Sequence, residues 1–459
     1  MPFSNPILDT DSYKLGHFLQ YPPKTAAISA YVEARGPTDQ VDVVFFGLQM
    51  YLKSSLARRV TAADVEEAAA IAAAHGQPFH HAGWMHIVER HGGVLPLLVE
   101  ALPEGTRVRR GVPLVQVVNT DPACFWLTSH VETALIRAIW YPSTVASLSR
   151  RILEQIRPAV ALTCDDPDGV VRAAIHDFGA RGATCREQAG LGGAAHLLHF
   201  DRTDTLTGLL HARRFYGADM AGHSFPASEH GTMTAWGGTR EAEAYANMVD
   251  RFGAGTYSVV SDSYDINTAV SEIWGRQLKA RVQAAGGRLI IRPDSGDPIE
   301  TPVQVVQQLD YRFGSTPNRK GYKVLHPSVR VLQGDGISIN DIGKVLARLE
   351  AFGFSAENIS FGMGSAILQK MNRDSFSFAM KVNARQDTDG TWHDVFKRPG
   401  TMNLKASKAG RQAVVETING PEALRLDQLG AQRNLLEPVW RDGVLLKDWR
   451  FDEIRARLA

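Results

Sequence analysis

Cysteine is scarce in this chain: Cys124, Cys164 and Cys185 are the only three in 459 residues, odd in number and far apart. They build no disulfide framework and no Cys-x-x-Cys pair, so a reducing compartment is expected. Net charge is equally scarce, +1 from 50 basic and 49 acidic side chains. That balance excludes the broad basic footprint of a nucleic-acid binder, and any anionic ligand must be met by a local cluster of cations. No apolar run approaches the roughly 18 residues of a membrane-spanning helix. The first residues, Met1 to Pro6, lack the basic and apolar blocks of a secretory leader. A cytoplasmic protein with no membrane partner is the expectation. No Gly-x-x-x-x-Gly-Lys-Ser/Thr motif occurs, which argues against a P-loop nucleotide site.

What the chain does have is apolar side chains, 44% of the total, and a length beyond one ordinary domain. From His176 to Asn383 one phrase recurs: a short apolar, β-branched run ending in charged or glycine-rich residues. The endings are His176 to Gly182 (HDFGARG), Ser261 to Asp265 (SDSYD), Ile291 to Gly296 (IRPDSG), Gln333 to Gly336 (QGDG) and Phe361 to Ser365 (FGMGS). Candidate strands are Val170–His176, His196–Phe200, a weak one at Ser224-Phe225, Tyr257–Ser261, Arg288–Arg292, Val329–Gln333, Asn358–Phe361 and Phe376–Val382. Helical stretches between them include Asp265–Ala284 and Ser338–Phe352. Eight runs alternating with helices predict an irregular α/β barrel, whose active-site rim lies at the strand C-termini. An open doubly wound sheet is the alternative.

The flanks read as α+β. Ala27–Glu33 alternates like a strand, and Ala62–His75 is a helix ending at Gly76. Leu95–Val118 reads as short strands and turns. Glu132–Ile156 is helical with an interruption near Pro142. After Asn383, Gly390, Gly400, Gly410 and Gly420 are spaced like hairpin turns. The expected organisation is an N-terminal segment 1–157, the barrel 158–383, and a C-terminal segment 384–459 returning to the first domain.

The rim residues suit a phosphorylated, hydroxyl-rich ligand. Arg292-Pro293-Asp294 leaves a buried strand through a rigid proline turn, so Arg292 and Asp294 can clamp a ribose diol or a phosphate; a surface ion pair is the plainer reading. Gly334-Asp335-Gly336 and Gly362-Met363-Gly364-Ser365 can offer backbone N–H groups to phosphate, or be ordinary turns. His230, beside Glu229, can act as a base, a metal ligand or a phosphoryl acceptor. Phe178 suits stacking on a planar ligand, with Arg181 directed at the same pocket, and core packing is the alternative. His80, His81, His86 and His91 lack the i, i+4 ligand spacing with a distant third ligand, so a solvated loop and no metal set are expected.

Taken together, these motifs resemble a known family. Thr10 to Lys14 (TDSYK), Tyr21-Pro22-Pro23, His176 to Gly182, Thr203-Asp204-Thr205, Pro226 to His230 (PASEH), Val260 to Asp265 (VSDSYD), Ile291 to Gly296, Gln333 to Gly336, Leu368-Gln369-Lys370 and Phe451 to Arg455 (FDEIR) are similar, in order, to the nicotinamide phosphoribosyltransferases. The resemblance runs from about Asn5 to the C-terminus. It implies the type II phosphoribosyltransferase fold: an irregular α/β barrel plus an α+β domain made by both ends of the chain. It implies transfer of 5-phosphoribosyl from phosphoribosyl pyrophosphate to nicotinamide, with Mg²⁺, in a homodimer that shares its active sites.

The residue roles below are what that resemblance implies. Phe178 and Tyr13 of the other chain sandwich the pyridine ring. Asp204 accepts from the carboxamide, and Ser224 and Ser258 line the same pocket. Arg292 and Asp294 hold base and ribose, with Asp262 orienting His230. Arg181 and His230 face the pyrophosphate. Gly334, Asp335, Gly364 and Ser365 line the 5-phosphate site. Arg35, Arg373, Lys397 and Lys408 supply positive charge, some across the interface. ATP phosphorylates His230 and so drives an unfavourable equilibrium. A nicotinate phosphoribosyltransferase, a non-catalytic phosphoribosyl-ligand-binding dimer and an aldolase-type barrel with a Schiff-base lysine such as Lys381 are the competing readings.

Overall fold

The structure is a computed structural model, and it describes residues 5–36, 41–334, 336–397 and 407–459. Asp335 and the expected turn at Gly400 lie outside the described residues. The chain divides into two compact units. The first comprises Met1–Ser147, His211–Asp219 and Met371–Ala459; the second comprises Leu148–Leu210 and Met220–Lys370. The expected segment boundaries were 157/158 and 383/384.

The first unit, here the sheet unit, is built on seven antiparallel strands in the order Trp392–Asp394, Ala379–Asp387, Thr25–Glu33, Pro113–Asn119, Leu97–Ala101, Glu437–Arg441 and Val444–Leu445. Thr25–Glu33 and Pro113–Asn119 are buried along their whole length and form the middle of the sheet. Their runs of Val, Ile and Ala suit a strand covered on both faces. The C-terminal tail does return: Glu437–Arg441 pairs with Leu97–Ala101. The helix Ala62–Ala74 forms as expected, started by a Thr61/Asp64 capping box.

Two expectations fail here. The helix near Pro142 is not interrupted; it runs unbroken over Glu132–Thr163. Proline removes one backbone donor from the helix, and a neighbouring segment ties this stretch down. Ser143 Oγ accepts from Phe46 N at 3.0 Å and donates to Phe46 O at 3.0 Å, and Ser147 Oγ accepts from Val44 N at 2.9 Å. Phe376–Val382, expected as a barrel strand, contributes instead to Ala379–Asp387 of the antiparallel sheet, in register with Thr25–Glu33.

The second unit, the barrel unit, holds a six-stranded parallel sheet in the order Arg202–Thr203, Ile175–Asp177, Ile359–Met363, Val329–Gln333, Arg288–Arg292 and Thr256–Val260. The weak strand expected at Ser224-Phe225 is the closing piece. His223 bridges to Arg202, and Ala227 bridges to Ser258, both in parallel sense. One short segment therefore joins the two edge strands, which gives the irregular barrel. Helices such as Arg186–His196, Glu300–Phe313 and Ile339–Ala351 fill the crossovers. Val170–His176 is mostly not strand: Asp166 caps a helix over Pro167–Ala173, with proline at its start, and only Ile175–Asp177 pairs. His196–Phe200 ends the helix Arg186–His196, and the strand begins later, at Arg202.

Candidate active site

The rim of the barrel unit collects His230, Asp262, Arg292, Asp294 and Gly334. Asp262 follows the strand Thr256–Val260, and its carboxylate is almost wholly buried. Its Oδ2 accepts from Asp294 N at 3.0 Å, Ser295 N at 2.6 Å and Ser295 Oγ at 2.5 Å. These bonds clip the Arg292-Pro293-Asp294 exit to the neighbouring strand. The other oxygen, Oδ1, is buried without a hydrogen-bond partner. Arg292 Nε and Asp294 Oδ1 pair at 3.1 Å. Burial pushes the Asp294 carboxyl above its ordinary range and Asp262 adds to this, while Arg292 and His230 pull the other way.

His230 opens the short helix His230–Thr234. Its Nδ1 shares a 2.9 Å hydrogen bond with Ser263 Oγ. Its Nε2 lies 3.5 Å from Asp294 Oδ2 and 3.8 Å from Asp262 Oδ1. The imidazole is half exposed and sits between a hydroxyl and two carboxylates, a setting for a ring that exchanges a group with solvent-side ligands.

Gly334 has no room for a side chain. A Cβ there would stand 2.0 Å from Asp294 Oδ1 and 2.8 Å from Arg292 Cδ. Gly362 is equally constrained: a Cβ would meet the Phe178 ring at 2.3 Å and Gly334 O at 3.2 Å. The Phe178 ring therefore lies directly over the backbone of the neighbouring strand, and the two glycines join the aromatic to the charged cluster. Phe178 N donates to Met363 O at 2.9 Å, which fixes the rim. Gly364 lies alongside, 3.4 Å from Phe178 O measured from the same construction, and Ser365 is exposed at the start of a four-residue helical turn.

Behind Phe178 stands an aromatic wall. The His176 ring is 5.9 Å from Phe178 and 5.1 Å from Phe225. Burial, helped by Arg202 and His196, pushes the His176 imidazole down to about 3, so it is neutral. Asp177 is fully buried; it accepts from Gly179 N at 2.8 Å and from Thr203 Oγ1 at 3.2 Å. Asp204 N donates to Asp177 O at 2.9 Å, which sets the exposed Asp204 carboxylate at the next strand end, where it accepts from Ser224 Oγ. Ser258 is buried, and its Oγ has no partner. Arg181 is exposed on the turn Ala180–Gly182.

The remaining expected residues belong to the sheet unit. Tyr13 is exposed, edge-on to His17. Arg35 Nε donates to Ser377 O at 3.4 Å, and Arg373 pairs with Asp374 at 3.0 Å. Lys397 is exposed; its N donates to Ser407 Oγ at 2.8 Å and its O accepts from Ser407 N at 3.0 Å. Lys408 is not a free charge: its Nζ sits 2.6 Å from the buried Glu33 carboxylate.

Two members of this rim, Ser263 and Ser295, are absent from the residues expected from the sequence. Ser263 and Ser295 lie inside motifs already singled out, next to Asp262 and Asp294, and that adjacency was the available signal. Lys381 was weighed only as a Schiff-base lysine of a barrel. It lies instead in the antiparallel sheet, half-buried, and burial lowers its basicity. Glu132 opposes that fall, but Arg35, Arg373 and Lys14 deepen it. Its Nζ donates to Met380 O at 2.8 Å, and Lys14 among these neighbours is paired with Glu132 at 2.6 Å.

Comparisons with known proteins now bear on this geometry. Residues 173–432 match the nicotinate phosphoribosyltransferase (NAPRTase) family, and residues 5–99 match the nicotinamide phosphoribosyltransferase N-terminal domain. A nicotinamide phosphoribosyltransferase of Xanthomonas campestris pv. campestris is 46% identical, over 98% of this chain and 97% of that protein. One from Acinetobacter baylyi is 33% identical, over 99% and 97%. Among solved structures, nicotinate-nucleotide pyrophosphorylase from Pyrococcus furiosus shares the fold with a TM-score of 0.62 at 16% identity, covering 100% of this chain and 96% of that one. Human nicotinic acid phosphoribosyltransferase gives 0.56 at 19% identity, covering 98% and 92%.

Proposed function

The chain belongs to the nicotinate phosphoribosyltransferase family, and on that premise we propose how it carries out its reaction, the transfer of 5-phosphoribosyl from phosphoribosyl pyrophosphate to nicotinamide. The C1–O bond to pyrophosphate breaks and its electron pair leaves with that group. The pyridine nitrogen then forms the new C1–N bond, giving nicotinamide mononucleotide. The protein needs no nucleophile of its own; it positions two substrates and stabilises charge.

The observation that carries the choice of nicotinamide is Asp204, an exposed carboxylate set at the strand end by Asp177 and Ser224. It accepts from the carboxamide N–H and repels the carboxylate of nicotinate, which favours the amide over the acid. Phe178 stacks on the ring, worth roughly 0.5–1.5 kcal/mol, and neutral His176 with Phe225 closes the apolar wall behind it. Arg292 and Asp294 hold the ribose. Gly334, Gly364 and Ser365 border the 5-phosphate, with Arg181 toward the pyrophosphate. In the sheet unit, the cations around Lys381 add positive potential that attracts the anionic substrate. The reading includes a homodimer in which Tyr13 and some of Arg35, Arg373, Lys397 and Lys408 act on the partner's substrates.

Mg²⁺ suits the residues present, because Asp262 has a buried oxygen without a partner and Asp294 stands beside it, both hard oxygen donors. Bound with the substrate, the ion would neutralise charge on the departing pyrophosphate. His230 accepts the γ-phosphoryl of ATP: the terminal P–O bond breaks, a P–N bond forms, and ADP leaves. Later hydrolysis of that bond makes the overall transfer favourable.

The test is direct. The purified protein is incubated with Mg²⁺, phosphoribosyl pyrophosphate and either nicotinamide or nicotinate, with and without ATP, and the mononucleotides are quantified. Product from nicotinamide, increased by ATP, is expected. Product mainly from nicotinate would overturn the Asp204 assignment, and an ATP effect that survives His230→Gln would overturn the phosphoryl-acceptor role.

A further inference from the structure

The histidines expected to lie in a solvated loop are brought together by the fold. The helix His81–His91 carries His86 and His91 on its last turns, and a short turn, Pro122–Cys124, packs against it. His86 Nε2 and His91 Nε2 each lie 2.7 Å from one oxygen, Asp121 Oδ2. Cys124 is fully buried beside them. The ligand atoms of His86, Asp121 and Cys124 all lie within 4.8 Å of one another. His81 and His80 are not part of the group: His81 pairs with Glu66 and His80 stacks on Phe18.

We propose that His86, His91, Asp121 and Cys124 form a structural binding site for a zinc-type divalent cation, distinct from the barrel rim. The donor set is two imidazoles, one carboxylate and one thiolate. That mixture suits a borderline-soft, tetrahedral ion and is wrong for Mg²⁺, which takes oxygen. Tetrahedral bonds of about 2.0–2.3 Å put neighbouring ligand atoms about 3.3–3.8 Å apart. His86, Asp121 and Cys124, within 4.8 Å of one another, close to that spacing by side-chain rotation, and His91, 2.7 Å from Asp121 Oδ2, turns toward the ion as the fourth ligand. On binding, the thiol proton leaves to solvent, and each ring presents its Nε2 lone pair to the ion in place of its contact with Asp121. No electron is transferred.

The frame is preorganised. Asp121 Oδ1 accepts from Ala123 N at 2.9 Å, and Cys124 N donates to Asp121 O at 2.9 Å. Asn119 Nδ2 donates to Asp121 O and to Ala26 O, each at 2.9 Å, and Asn119 Oδ1 accepts from Ile28 N at 2.8 Å. The turn is thus pinned to the middle of the antiparallel sheet. His86, His91 and Asp121 are each about a quarter exposed (33%, 28% and 21%), so an ion has an entry path. With four protein ligands and no open position the site is structural: it staples the helix His81–His91 to the sheet.

The whole protein, stripped with chelator, is titrated with Co²⁺ and then Zn²⁺. One Co²⁺ per chain is expected, with the strong visible bands of a tetrahedral ion and a near-ultraviolet thiolate charge-transfer band, both abolished by Zn²⁺. Cys124→Ser removes the charge-transfer band, and His86→Gln, a part-exposed change that spares the buried thiol, weakens binding at least tenfold. Zn²⁺ raises the midpoint of thermal unfolding of the unaltered protein and not of the variants. A folded protein that shows no thiolate band, or keeps full Co²⁺ affinity in both variants, would overturn the proposal.

Discussion

In the barrel unit the groups gathered at the strand ends are carboxylates, an imidazole and an aromatic face, pressed against backbone that has no space for a Cβ. In the sheet unit the corresponding feature is a half-buried lysine with arginines near it, on a strand that alternates between buried and half-buried residues. The first arrangement depends on close approach between neighbouring strands, so its function is sensitive to single atoms. The second depends on summed charge, so its function falls by degrees. We propose a division of labour: the strand-end cluster of the barrel unit reads the base and holds the ribose and its phosphates, and the lysine cluster of the sheet unit adds positive potential that attracts the anionic substrate.

The largest effects are expected where atoms have no room. Gly334→Ala puts a Cβ 2.0 Å from Asp294 Oδ1, and Gly362→Ala puts one 2.3 Å from the Phe178 ring. Each displaces reacting partners by an ångström or so, and kcat/KM falls roughly 100-fold or more, checked by steady-state kinetics beside an unchanged far-ultraviolet dichroism spectrum. Next is Asp204→Ser, which removes the carboxylate that favours amide over acid. The nicotinamide to nicotinate ratio of kcat/KM is expected to drop about 100-fold, read by product analysis with both bases present.

Smaller is Lys381→Met. Loss of one charge among Arg35, Arg373 and Lys14 raises KM for phosphoribosyl pyrophosphate about tenfold, since one charge-assisted contact is worth about 1.5–3 kcal/mol before its neighbours compensate. The smallest concerns the scaffold. Glu104, fully buried, accepts from Gly47 N, Gln49 N and Tyr216 Oη at 2.9, 2.6 and 2.7 Å. Burial raises its carboxyl above 4.5, and these bonds only partly offset that. A raised folded value means the stabilising increment is whole below pH 4.5 and is lost as pH rises through the folded value. Thermal midpoints measured across that window should fall with rising pH from this group, and Glu104→Gln should flatten the fall.

The sequence carried the barrel unit well where strands were apolar and ended abruptly. Arg288–Arg292 and Val329–Gln333 were legible to the residue, because a β-branched run stops at Pro293 or Gly334. Val170–His176 was misread because its apolar residues serve a capped helix, and periodicity over so few residues cannot separate the two. Phe376–Val382 was placed in the wrong sheet, since a strand's own sequence does not name its neighbour. At the rim, His230, Asp262, Arg292 and Asp294 were visible as motif members, and the structure adds that Asp262 clips Asp294 and Ser295. Lys381 and the His86–Asp121–Cys124 group stayed hidden because their members are distant in sequence and meet only through long-range packing.

The division of labour is tested most directly by measuring, in Asp204→Ser and Lys381→Met side by side, both the amide-to-acid ratio and KM for phosphoribosyl pyrophosphate. A crossed result is expected: Asp204→Ser shifts the ratio and leaves that KM within about twofold, and Lys381→Met raises that KM and leaves the ratio unchanged. A ratio that moves in Lys381→Met, or a KM for phosphoribosyl pyrophosphate that moves as far in Asp204→Ser, would contradict it.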